Sequence, residues 1–130
     1  MPTYKSFTIA DMCAIRDACR EMRGQEYRDG RDKGLWYEAF IRVAWDSGMR
    51  LTDQLNLEWS RLDEHGTIRI VTQRRVIEQA YPLKLDTIDA IQAIRRPDHH
   101  LIFEADVDEV RREWDGILRR AGLSRHDSDF

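Results

Sequence analysis

Lysine is nearly missing from this chain: Lys5, Lys33 and Lys84 are the only three among 21 basic residues, so its cations are overwhelmingly arginine. Arginine presents a planar fork of donors that matches phosphate or carboxylate, where lysine offers a hydrated point charge. Cysteine is equally sparse. Cys13 and Cys19 lie six apart in a helical pattern, on different faces, which fits neither a metal pair nor a disulfide framework and marks both as reduced, buried small hydrophobes. The four histidines, His65, His99, His100 and His126, show no ligand spacing with one another or with the cysteines, so no metal and no cofactor is expected. No apolar run approaches the roughly 20 residues that span a bilayer. The N-terminus lacks the basic-then-apolar pattern of a secretory signal, and the expected location is cytoplasmic. The net charge of −3 disfavours a broad, non-specific nucleic-acid surface without excluding a local one.

What is present is a globular composition in 130 residues, 42% hydrophobic and 35% charged, the size of one domain spanning 1–130. Apolar residues at Ile9, Met12, Ala14 or Ile15, Ala18, Cys19 and Met22 keep helical spacing, and Thr8 with Asp11 forms a capping box. Residues 23–34 carry three glycines and no apolar period, which predicts an exposed loop. Trp36, Phe40, Val43 and Ala44 then share a helical face that stops at Gly48, a left-handed C-terminal position. Thr52 is expected to cap a short third helix through Leu57. "DEHG" is a turn, and the alternation around Ile68, Ile70 and Thr72, resumed from Val76 to Leu83, predicts a β-hairpin. Asp86 with Asp89 opens a fourth helix that stops before Pro97, and Asp106 with Glu109 opens a fifth that runs to Gly122. The fold class is mainly α with a small antiparallel β-hairpin. Trp36, Trp45, Trp59 and Trp114 fall at positions suited to packing.

Arg50 stands between the end of the second helix and the start of the third. A bend leading into a helix N-terminus favours anions, and the guanidinium adds to that; equally, Asp53 three residues on is placed to pair with Arg50 as a local brace. "SGMRLTDQLNLEWSRLD" resembles the first arginine box of the tyrosine recombinases, the phage-integrase family, whose pattern is T-G-x-R-x-x-E-x-x-x-L-x-W-x-D. Ser47, Gly48, Arg50, Asp53, Leu57, Trp59 and Asp63 fall on or near it, with Ser for Thr and Asp for Glu. "GTIRIVTQRR", "YPL", "LIF" and "WDGILRRAGL" resemble the family's β-hairpin, its Pro-Leu and Leu-Phe steps and its Ala-Gly-Leu helix end, so the likeness covers nearly the whole chain.

The resemblance implies DNA breaking and rejoining, in which a tyrosine attacks a phosphodiester and arginines stabilise charge on the non-bridging oxygens. It assigns catalytic roles to Arg50, to Asp53 as the residue that aims it, and to Arg74 as the nearest match to the hairpin lysine that acts as general acid. Arginine holds its proton too tightly for that role but still grips phosphate. Arg74, Arg75, Arg119 and Arg120 are the DNA-binding candidates, and double-stranded DNA is the expected partner. The family continues with an H-x-x-R box and a nucleophilic tyrosine. Here His126 has no arginine three residues on, and Tyr4, Tyr27, Tyr37 and Tyr81 stand upstream in the wrong order. The chain therefore reads as the first part of a recombinase catalytic domain, inactive alone, whose missing half would leave apolar surface open to self-association. Two other readings stand beside it, a non-catalytic DNA-binding module and an interaction or scaffold protein with salt-bridged surface arginines.

Overall fold

The computed structural model describes residues 7–27, 30–71 and 77–123. Its elements are α1 (Ile9–Glu21), α2 (Lys33–Ser47), α3 (Leu51–Leu55), a 3₁₀ turn (Trp59–Arg61), β1 (Thr67–Ile70), β2 (Gln79–Pro82), α4 (Leu85–Ala93) and α5 (Val107–Arg120). This is the expected mainly helical chain with one antiparallel hairpin, β1 pairing β2 in the register Thr67 with Pro82 through Ile70 with Gln79.

Helix α2 is the centre because it is apolar nearly all round: Trp36, Tyr37, Ala39, Phe40, Ile41 and Val43 are buried. It packs against α1, α4, β2 and α3, while α5 covers α1 and α3. The Trp36 and Phe40 rings stack with centroids 5.0 Å apart, and Phe103 meets both edge-on at 5.4 and 4.9 Å. Burying Phe40 and Phe103 contributes roughly 1.5–3 kcal/mol each. Trp36, Trp59 and Trp114 are buried as expected, and Trp45 is half-buried. Cys19 is buried, but Cys13 is only partly so.

Two of the local capping signals in the sequence are realised. Thr8 Oγ1 accepts from the Asp11 N–H at 3.0 Å and Asp11 returns the bond to the Thr8 N–H at 3.0 Å. Asp106 accepts from the Glu109 N–H at the start of α5. Three expectations are corrected. The segment before α2 is not a plain exposed loop: Glu26 and Asp32 form a β-bridge, Tyr27 packs on the core, and Asp32 caps α2 through the Leu35 N–H. The N-cap position of helix α4 is Lys84, with no side-chain capping bond, rather than Asp86; the distant Asp46 carboxylate accepts the Lys84 N–H at 2.9 Å and fixes the chain's entry there. Helix α3 is capped by Arg50 rather than Thr52, and Trp59 lies in the 3₁₀ turn beyond it.

Candidate phosphate-contacting site

The bend that presents Arg50 is built from three adjacent devices. Gly48 takes φ 68° and its N–H donates to the Ala44 carbonyl at 2.8 Å, ending α2 in the left-handed conformation that glycine alone adopts without cost. Ser47 Oγ donates to the Val43 carbonyl at 2.6 Å and accepts from the Met49 N–H at 3.1 Å. Met49 and Leu51, on either side of Arg50, are both buried and act as anchors. Between them Arg50 has extended backbone and an exposed side chain.

Arg50 and Asp53 are not brought together. Among the described residues the Arg50 guanidinium forms no ion pair or hydrogen bond, whereas Asp53 is 9% exposed in the first turn of α3. Arg50, at the N-cap position, is exposed to solvent, and Asp53 is buried. A helix of five residues also adds little dipole, so the positive end expected beside Arg50 reduces to the arginine's own charge.

The residue that holds α3 in place was not among the sequence candidates. Gln54, fully buried, donates from Nε2 to the Phe40 carbonyl at 2.9 Å, tying α3 to α2 directly beneath the bend. Its i,i+4 relation to Arg50 was available in the sequence, but an isolated glutamine on a short helix gives no hint of burial.

Asp63, the last position of the arginine-box likeness, organises the hairpin's start. Oδ1 accepts from the His65 and Thr67 N–H groups at 2.8 and 3.0 Å, and Oδ2 accepts from Arg69 Nε at 3.3 Å. The Thr67 N–H first, then His65 and Arg69, hold its carboxyl below the ordinary value despite some opposing burial. Arg74 and Arg75 lie outside the described residues. Arg119 and Arg120 are exposed at the end of α5; Arg119 Nε donates to the Asp115 carbonyl at 3.4 Å, and Arg120 lies 3.9 Å from Glu21. Among the described residues no three His, Cys, Asp or Glu side chains converge on a common point, and no helix is long and apolar enough to cross a membrane.

The sequence matches no protein-family model, and no curated protein matches it significantly. The fold finds a counterpart in the crystal structure of XerA recombinase, with a TM-score of 0.69 over 96% of this chain at 14% identity. The fold is recombinase-like. The chain spans 45% of the length of that recombinase, and at this identity the likeness concerns the fold alone.

Proposed function

We propose that this chain forms part of a DNA breaking-and-rejoining centre of the tyrosine-recombinase type, with Arg50 as the cation that meets a phosphodiester. The observation that carries this reading is the Arg50 bend: a guanidinium held out from a buried frame, with no carboxylate taking up its donors among the described residues, in a recombinase-like fold. A side chain so placed suits stabilising negative charge on non-bridging phosphate oxygens as a tyrosine oxygen attacks phosphorus and the 5′-oxygen leaves. Asp53 contributes through the turn it shares with Arg50. Arg74 and Arg75, which lie between β1 and β2 in the sequence, would with Arg119 and Arg120 grip neighbouring phosphates.

The 130 residues contain no H-x-x-R with a later tyrosine. The nucleophile then comes from outside them, and the proton for the leaving oxygen does not come from Arg74. Incubating the purified chain with a nicked suicide duplex tests this directly. Salt-dependent duplex binding without a covalent adduct is the expected result; a trapped protein–DNA adduct would place the nucleophile within these residues, and an absence of binding at low salt would remove DNA as the partner.

A further inference from the structure

A second concentration of arginine lies away from the bend, along the seam where α1 packs on α2. Arg16, Arg20 and Arg23 keep an i, i+4, i+7 spacing and so share one side of α1 and the turn that ends it. Across the seam, Glu38 of α2 is the meeting point: Arg20 Nε reaches Oε1 at 2.9 Å, Arg23 Nη2 lies 3.9 Å from the same oxygen, and Arg42 Nε lies 3.7 Å from Oε2. Three guanidiniums thus converge on one carboxylate, whose side chain is 12% exposed while Arg20 and Arg23 are about half exposed. One carboxylate cannot neutralise three cations, nor use the donors of three forks.

Among the described residues, Glu38 is the acid that Arg20, Arg23 and Arg42 share. Asp17 pairs with Arg16 at 3.4 Å, Glu21 lies against Arg120 of α5, and Asp46 accepts the Lys84 N–H. Arg16 and Arg42 continue the seam into an open groove of about 260 Å³, whose floor includes Met12, Cys13 and Trp45 and whose far wall carries Lys84 beside Asp86. The excess positive charge therefore sits on Arg20, Arg23 and Arg42 around Glu38, which acts as a fixed internal counter-ion, while in the groove beyond them Asp46 and Asp86 face Lys84 and Arg16 pairs with Asp17.

We infer that this seam is a second grip on duplex DNA, in which Arg20, Arg23 and Arg42 contact backbone phosphates distinct from the one at Arg50. The inference rests on the proposed DNA-binding function and extends it to a surface outside the arginine-box likeness. A duplex backbone fits because the cluster presents several forked donors side by side along the α1–α2 seam.

The test measures duplex affinity against salt for the 130-residue chain, for R20Q/R23Q and for E38Q, with thermal unfolding alongside. Each phosphate contact contributes about one to the slope of log K against log salt, so the double variant should lose roughly 1–2 from its slope. E38Q removes the competing anion while keeping an acceptor for Arg20, and should tighten binding by about 2- to 5-fold, the scale of a surface ion pair. Should the double variant fail to fold, the sign of the E38Q change decides alone. A salt-dependent parent chain with R20Q/R23Q unchanged in slope, or E38Q unchanged or weaker in binding, would overturn the second grip and leave the Arg50 reading intact. A parent chain whose affinity is flat in salt would overturn both.

Discussion

Gln54 Nε2 donates to the Phe40 carbonyl at 2.9 Å, and this one hydrogen bond joins the short helix after Arg50 to the most buried helix of the protein. Arg50 itself touches little. Its position is inherited from Met49 and Leu51 packing in the core, from the Gly48 turn, and from Gln54 holding α3 down. Gln54→Ala removes the donor and leaves a void in a fully buried position, and should destabilise the fold by roughly 1–3 kcal/mol. DNA affinity should fall as well, although Gln54 is fully buried. Chemical denaturation with a parallel binding titration checks both effects, and unchanged stability would show that α3 is held by other contacts.

Gly48 is required by conformation and not by space. A Cβ there would meet nothing within 4 Å, yet φ is 68°. Gly48→Ala should cost roughly 1–2 kcal/mol from the left-handed backbone alone. A thermal melt shows this as a midpoint lowered by several degrees.

Gly34 is required by space and not by conformation. A Cβ at Gly34 would lie 2.6 Å from both the Arg23 nitrogen and the Cys19 carbonyl oxygen, backbone atoms that cannot swing aside. Gly34→Ala should wedge α1 from α2 at roughly 1–3 kcal/mol. It should also weaken the convergence on Glu38, so a drop in the salt slope of DNA binding is expected with the loss of stability.

Asp32 and Asp63 give the fold an acid limit. Burial pushes the Asp32 carboxyl up, but the N–H groups of Gly24, Leu35 and Gly34 together outweigh it, and the Thr67, His65 and Arg69 donors hold Asp63 down. Both folded-state values lie below the ordinary one. Their stabilisation is therefore complete above the unfolded carboxyl range and lost as pH falls through the folded values. Denaturation midpoints should drop below about pH 4, and D32N/D63N should flatten that drop, since an asparagine oxygen accepts backbone N–H bonds without titrating. An equal acid slope in the double variant would assign the loss to other carboxylates.

The features legible in the sequence are those decided within a few residues: the Thr8–Asp11 box, the Gly48 stop, the Asp106 cap and the hairpin alternation. What the sequence hid depends on chain brought from far away. The N-cap of α4 falls at Lys84, where Asp46 of α2 takes the Lys84 N–H, and Asp32 serves Gly24 as well as the start of α2 because the chain from Gly24 folds back on it. The spacing of Arg16, Arg20 and Arg23 is visible along α1, but their common partner Glu38 and the third arm Arg42 belong to the next helix. Asp53 is a sequence neighbour of Arg50, yet it is buried in α3 while Arg50 is exposed, a difference that spacing alone does not reveal.

The central claim is that Arg50 faces a phosphate and holds up nothing in the fold. Duplex affinity and melting temperature of Arg50→Ala and Arg50→Lys test it most directly. Both variants should melt as the parent chain does, since the side chain is exposed. Both should lose about tenfold or more in affinity, lysine included, because one ammonium cannot replace two parallel donors. Parent-like affinity in Arg50→Ala, with the fold intact, would contradict the account.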